Sequence, residues 1–482
     1  METIQTEIVV VGAGPGGYAA AFYAADLGKK VLLVERDERL GGVCLNRGCI
    51  PSKALLHATH VIDEAELSAE RGVTFGKPKV KLDKLREWKE SIIDKLAQGL
   101  EGLCARRGVK RLHGRGHFED SRTLRVETAE GQQFINYDKA IIAVGSKPAM
   151  PAAFDLGNRR IMTSTEALEL EDVPGRLLVV GGGYIGMELG MVYARLGSEI
   201  VMVEALDHLL SGVDPDLVRP VAKVAASVFK EVRLKTKVLR MATSGRKIKV
   251  AMEVNGNTRE ETYDRVLVSV GRTPSYEDLG LENTAVRIGA NGFIDCNDEQ
   301  QTGDPAIYAI GDANGGALLA HRATKEARVA VEVITGESST IADVVIPAVV
   351  FTDPEVAWCG LTEQEAKAGD VPVEIVKFPW GASGRALTLN RPEGLTKLVL
   401  EPETERILGV GISGASAGEL IGEGVLAVEM GATAKDLAES VHPHPTLSET
   451  LMECAEAFYG TATHTVPRKR PRTARTAARQ AS

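Results

Sequence analysis

The chain reads as an α/β protein: two doubly wound nucleotide-binding domains, then a third domain of different composition. Three observations predict this. Near the N-terminus come an apolar run, a GxGxxG glycine triplet, a helix-forming stretch and a second apolar run ending in an acid. The same series recurs 169 residues later. The composition then changes at Ile346.

The first series starts with the apolar run that ends at Val11, suited to a buried parallel strand. Gly12, Gly14 and Gly17 follow, then Tyr18 and three alanines that open a helix, then the strand Val31–Val34 closed by Glu35. A lone GxGxxG is weak evidence, because glycines also serve turns. With strand, helix and acid in register, the glycines predict a tight turn and close approach of a pyrophosphate to a helix N-terminus. Glu35 is placed to accept from ribose hydroxyls. In the second series Leu177–Val180 is the strand and Gly181, Gly183 and Gly186 are the triplet. Ile200–Val203 is the next strand and Glu204 the closing acid. Residues 204–209, EALDHL, hold no arginine, so Glu204 favours NAD over the extra phosphate of NADP.

Directly after the first series lies GGVCLNRGCIPSKALL, residues 41–56. On a regular helix Cys44 and Cys49 stand roughly 8.6 Å apart. A disulfide wants ~4.4–6.8 Å, so a bridge needs a locally opened helix, and Gly48 supplies the freedom. A strained, short-loop bridge is of the reducible kind. Two buried free cysteines, or half of a zinc site, are the alternatives. Zinc wants closer pairs and four ligands, and no second cysteine pair exists, so no metal is expected. Two nucleotide sites beside a redox pair call for FAD in the first, which the pair directly follows, and NAD in the second.

The bounds agree. A chain of 482 residues has room for about three domains. Hydrophobic residues make up 44 %, and no apolar run is long enough to span a membrane. METIQTEIVVVGAG enters a strand without a signal peptide. Six cysteines are not a secreted disulfide framework, which points to the cytoplasm. Cys104, Cys296, Cys359 and Cys454 stand alone and read as buried packing. A net charge of −9 argues against a nucleic-acid surface.

Residues 60–110 carry Lys, Glu and Leu at helical spacing and predict long surface helices. DKAIIAVGSKP, residues 138–148, and DRVLVSVGRTP, residues 264–274, repeat one strand-and-glycine-turn design and read as crossings between the two nucleotide domains. Beyond Ile346, strands are expected within 346–360 and 394–413 and an apolar helix over 416–430. HPHPTLSE supplies His442, His444 and Glu449. A thiol substrate must lose a proton before it attacks a disulfide, and histidine is suited to take it. His442 and His444 are two apart, so on an extended segment both reach the same side. Glu449 singles out His444, since it can orient that imidazole. Residues 463–482 are basic, without an acid, and predict a disordered tail.

The 41–56 stretch resembles the active-site segment of the pyridine nucleotide–disulfide oxidoreductases, and the resemblance runs from about residue 5 to about residue 462. Within that family CLNxGCIPSK is similar to the dihydrolipoyl dehydrogenase branch, whereas glutathione reductases read CVNxGCVPKK. The resemblance implies Rossmann-type domains. The FAD domain would span 1–149 and 273–345, the NAD domain 150–272, and an α+β dimerisation domain 346–462. DPAIYAIGD, residues 304–312, is similar to the family's second flavin motif, with Asp312 toward the ribityl chain. Flavin contacts are implied at Lys53, Gly116 and Ala320, with Lys53 paired to Glu188; an ordinary surface lysine is the alternative. Nicotinamide contacts are implied at Tyr184, Val238 and Gly271. Tyr184 stands where the dihydrolipoyl branch has a small aliphatic residue and glutathione reductases often have a tyrosine lid. HxHPTxSE also marks His444 as the base, reaching the partner's cysteine pair in a homodimer. The implied reaction is oxidation of dihydrolipoyl groups on a carrier with reduction of NAD. Its partner would be a lipoylated acyltransferase of 2-oxo acid dehydrogenase complexes or a glycine-cleavage carrier. A glutathione-type or other disulfide reductase, and a flavin-binding scaffold without turnover, are the rival readings.

Overall fold

The computed structural model describes residues 3–254 and 256–466. From residue 467 onward the expected basic tail lies outside the described residues. The chain divides into two compact units, Met1–Leu209 with Val228–Val344, and Leu210–Ser227 with Val345–Ser482.

The first unit opens with β1 (Ile4–Val11), α1 (Pro15–Asp26) and β2 (Val31–Glu35). Then come α2 (Gly42–Arg47), α3 (Cys49–Leu67) and α4 (Leu82–Arg107), of which α4 is the long helix expected within residues 60–110. The sheet is completed by β3 (Lys110–His113), β4 (Arg115–Asp120), β5 (Thr123–Thr128) and β6 (Gly131–Ile142), in the order β3-β2-β1-β6-β5-β4. β3, β2, β1 and β6 run parallel, and β5 and β4 add an antiparallel wing. Alternation along the second half of β1 explains why residues 8–11 are apolar throughout. Ile8 and Val10 join a core with Ala20, Ala21 and Ala24 of α1, while Val9 and Val11 join another with Phe118 and Leu124. Both faces are buried, so no polar residue fits either period.

The same construction recurs in this unit. After β7 (Ser146–Pro148) come β8 (Ile161–Met162), α5 (Ser164–Glu169), β9 (Arg176–Val180), α6 (Tyr184–Arg195) and β10 (Glu199–Val203). Residues 210–227, carrying α7 (Pro215–Val228), leave for the second unit. The chain returns in β11 (Glu231–Arg233), an antiparallel sheet of β12 (Thr236–Ser244), β13 (Lys247–Val254) and β14 (Asn257–Tyr263), and then β15 (Arg265–Val268). The parallel order is β11-β10-β9-β15-β8. The two repeated glycine turns meet: β16 (Arg272–Pro274) pairs antiparallel with β7. β17 (Ile307–Ala309) adds to β6, and α8 (Ala320–Thr335) packs along α1.

The second unit holds β18 (Ala348–Val350), β19 (Glu355–Gly360), α9 (Glu363–Ala368), β20 (Glu374–Pro379), α10 (Gly384–Thr388), β21 (Leu395–Leu400) and β22 (Ile407–Gly414). α11 (Ala417–Glu429), α12 (Ala434–Glu439) and α13 (Glu449–Tyr459) follow. Its antiparallel order is β18-β19-β22-β21-β20, with α11 on β19 and β22 and α13 on β20 and β21. Sequence reading missed β20, the edge strand. Residues 210–227 are bound into this unit by charge. Lys397, 1 % exposed, puts Nζ 2.5 Å from Asp214, 2.8 Å from Asp216 and 3.3 Å from Glu363. Asp214 also accepts from the backbone N–H groups of Glu363 and Gln364, each at 3.0 Å. A buried cation is tolerated only with such pairing.

Candidate active site

The helix is opened where the cysteines need it. α2 ends at Arg47, Gly48 breaks the path, and α3 begins at Cys49. A Cβ on Gly48 would lie 2.8 Å from the carbonyl oxygen of Val43 and 3.3 Å from Cα of Cys44, so only glycine allows the approach. Both cysteines are free, and the Cys44 thiol lies against Cys49. The neighbouring Cys44 thiol lowers Cys49 to about 7, helped by Lys53 and opposed by burial and by Glu188. The same contact, with burial, pushes Cys44 far up. Cys49 is therefore the thiolate of the two, at the start of a helix, where an anion is favoured. Burial pushes Cys104 and Cys296 up to about 11 and Cys359 and Cys454 to about 12, so the other four are inert by contrast.

Lys53 and Glu188 meet across the unit. Lys53 Nζ lies 2.7 Å from Glu188 Oε2, and Ser52 Oγ donates to the same oxygen at 3.0 Å. Glu188 is buried on α6 and Lys53 is half-buried on α3. Sequence reading overlooked Ser52, whose only signal is its place beside Lys53.

A cavity connects these groups to the first glycine turn. Gly12, Gly14, Glu35, Cys44, Cys49, Lys53, Gly116, Tyr184, Glu188, Asp312 and Ala320 all line it. So do Ser146 and Arg272, which sequence reading did not select. Arg272 Nε donates to Ser146 Oγ at 2.7 Å, and Ser146 Oγ in turn contacts Asp312 Oδ2. The repeated VGSKP and VGRTP turns were the available signal.

The two glycine triplets use their members alike. Gly12 and Gly181 have φ of +100° and +106°, which side chains resist. A Cβ on Gly17 would come 1.8 Å from the oxygen of Gly12, and one on Gly186 2.1 Å from that of Gly181. The middle glycines differ. A Cβ on Gly14 would meet only Gly42 Cα, at 3.9 Å, and one on Gly183 would meet nothing within 4 Å. Both have ordinary φ, −69° and −75°, at a helix N-cap. The protein's own packing does not require glycine there; a phosphate at the helix N-terminus does. The residues present therefore fit a dinucleotide at each turn, FAD on the cavity side.

Glu35 and Glu204 match as well. Glu35 takes the Ala13 N–H at 2.7 Å and the Asp37 N–H at 2.9 Å. Glu204 takes the Gly182 N–H at 2.7 Å and the Leu206 N–H at 2.8 Å. Each carboxylate keeps lone pairs for ribose hydroxyls while it pins the loop. Gly181, Gly183, Gly186, Glu204 and Gly271 lie outside the cavity lining, and Val238 packs half-buried on the core beneath β9 and β10. Tyr184, 41 % exposed, opens α6 and faces the cavity.

In the second unit the two histidines separate, contrary to the expectation that both reach one side. His442 is 7 % exposed in its side chain, with Nδ1 2.8 Å from the Ser440 carbonyl and Nε2 2.7 Å from Glu423. Both nitrogens are engaged because burial on that loop requires partners. His444 is 72 % exposed, with Nδ1 2.9 Å from Glu449 Oε1. Burial works to raise Glu449, but the Thr446 N–H at 2.7 Å and the His444 ring outweigh it and hold the carboxyl below its usual range. An ionised Glu449 fixes His444 with its other nitrogen outward, the arrangement of a general base.

Comparison with known proteins agrees in both units. The family described as pyridine nucleotide-disulphide oxidoreductase matches residues 6–327, and its dimerisation domain matches 346–455. The dihydrolipoyl dehydrogenase of Vibrio cholerae is 45 % identical over 95 % of this chain and 97 % of its own. That of Geobacillus stearothermophilus is 43 % identical over 96 % and 98 %. The crystal structure of LpdA from Mycobacterium tuberculosis superposes with a TM-score of 0.87 at 25 % identity, over 94 % of this chain and 99 % of that one.

Proposed function

Because the chain belongs to the pyridine nucleotide-disulphide oxidoreductases, we propose that it works as a dihydrolipoyl dehydrogenase, oxidising protein-bound dihydrolipoamide through a Cys44–Cys49 disulfide with FAD and reducing NAD. The observation that carries this is the cysteine pair at the Gly48 break, facing the cavity of the first glycine turn.

His444 takes the proton of a substrate thiol at Nε2 while Glu449 holds Nδ1. The substrate thiolate attacks Cys44 Sγ, the Cys44–Cys49 bond breaks, and Cys49 leaves as thiolate. A leaving thiol near 7 departs readily at neutral pH. The second substrate thiol gives its proton to the medium and attacks the substrate sulfur bound to Cys44. Lipoamide is released, and Cys44 takes the proton from His444. FAD, when bound along Gly12, Gly14, Glu35 and Asp312, supplies two-electron transfer between the dithiol and NAD. Lys53, held by Glu188, places a positive charge beside Cys49 and keeps its thiolate form. NAD is assigned to Gly181, Gly183, Gly186 and Glu204.

The working form is a homodimer, in line with the dimerisation-domain match that contains His444 and Glu449. In it His444 of one subunit serves the cysteine pair of the other. The FAD domain is assigned to 1–149 and 273–345, the NAD domain to 150–272 and the interface domain to 346–462. The partner is a lipoylated acyltransferase of a 2-oxo acid dehydrogenase complex or a glycine-cleavage carrier, in the cytoplasm. No helix of the described residues is long and apolar enough to cross a membrane. The decisive assay sets NAD reduction by dihydrolipoamide against NADPH oxidation by glutathione disulfide. Turnover in the first alone is expected; turnover in the second alone would overturn the reading.

A further inference from the structure

A second histidine–carboxylate pair sits one turn beyond the first. Glu453 follows Glu449 by four residues on α13, which places their Cβ atoms ~5–6 Å apart on one face. Glu453 is buried, and His464 holds both of its oxygens: the ring Nδ1 contacts Oε1, and the backbone N–H reaches Oε2 at 3.3 Å. The hydrogen bond to Glu453 raises His464, so the ring stays charged toward neutral pH. Glu449 and His464 also act on each other electrostatically.

The other charges on the neighbouring elements are engaged elsewhere, and His442, two residues before the base, pairs with Glu423 at 2.7 Å. Glu456, three residues on, is pushed up by burial and then by Glu453. β20 carries Glu374 and Lys377, and Lys377 is taken by Asp216 and Glu363. Lys397 of β21 is taken by Asp214, Asp216 and Glu363. On α12 Lys435 pairs with Glu439, and Asp436 caps its own helix at Thr433.

We propose that His464 and Glu453 are positioning residues for the base, a mutually neutralised pair that keeps a second negative charge away from the His444–Glu449 couple. The proposal rests on the reading of His444 as the base. Without His464, Glu453 stands as a bare carboxylate one turn from Glu449 and favours the protonated imidazole, which cannot accept the substrate's proton. The charge of His464 is thereby part of the pH range of the reaction.

The test is the pH dependence of kcat/KM for dihydrolipoamide with the full-length holoenzyme. His464→Asn should move the acid limb up by roughly half a pH unit. High salt should shrink that displacement, and adding Glu453→Gln should return the limb to its place. An unmoved limb in His464→Asn, or a displaced limb that persists in the double variant, overturns the proposal. If His464→Asn does not fold, Glu453→Gln alone should lower the limb by leaving His464 unopposed, and an unmoved limb there is equally fatal. His444→Gln separates the two levels. Full activity in it removes the base and the proposal together, whereas an inactive His444→Gln with an unmoved His464→Asn limb rejects only the pair.

Discussion

Cys44→Ala in the reduced enzyme should move the titration of Cys49 from about 7 to 9 or above. The largest influence lowering Cys49 is the hydrogen bond from Cys44, and burial alone would raise it above its ordinary 9.0. At pH 7 the thiolate share then falls from about half to about 1 %, a ~50-fold loss. Rate falls less than population, because a thiolate of higher pKa is more nucleophilic. With a Brønsted slope of about 0.4–0.5 the gain is ~6–10-fold, leaving reaction with a small disulfide probe only ~5–8-fold slower. The midpoint of the whole rate–pH curve is therefore the quantity to measure, with dithiodipyridine as the probe. The other four cysteines, at about 11 to 12, add little signal there. Cys44→Ser keeps a donor and should fall between wild type and Cys44→Ala. An unchanged midpoint near 7 in Cys44→Ala would refute the assignment of the thiolate to that hydrogen bond.

Mixing inactive Cys44→Ser and inactive His444→Gln subunits should restore up to about a quarter of wild-type lipoamide activity, since heterodimers carry one complete site of two; exchange without activity rules out cross-subunit service. Glu204→Ala should lose a charge-assisted contact of about 1.5–3 kcal/mol and weaken kcat/KM for NAD by roughly 10–100-fold, while NADP turnover does not fall in parallel. Tyr184→Val should change KM for NAD or the rate of reaction with oxygen, and identity with wild type in both discards a lid.

Much of this architecture is legible in the sequence because its signals are local. Residues 8–11 of β1 are apolar throughout because both sheet faces are covered there, and Gly17 is fixed by the Gly12 carbonyl five residues before it. The Gly48 break likewise follows from neighbours in the chain. What escaped notice depends on distant segments. Ser52 meets Glu188 136 residues on, and Arg272 meets Ser146 126 residues back. His442 looks equivalent to His444 by spacing alone; Glu423, on another helix, makes the difference. The β20 edge strand, with a lysine amid its apolar residues, lacks the alternation that marks half-buried strands.

The excursion of residues 210–227 sets a schedule for synthesis. Leu217, Val218, Val221 and Ala225 of α7 are buried, and Asp214 and Asp216 are neutralised by Lys397. That lysine is made about 170 residues after the segment ends, which at 5–20 residues per second is roughly 10–30 s later. For that interval the ribosome holds a chain with an apolar helix face and two acids awaiting a strand that does not yet exist. A nascent chain halted before β21 should expose 210–227 to proteases and chaperones, and one halted after β22 should protect it. A C-terminal fragment starting at Val345 should fail to fold for the complementary reason: Lys397 would be buried without the anions that Asp214 and Asp216 bring from upstream.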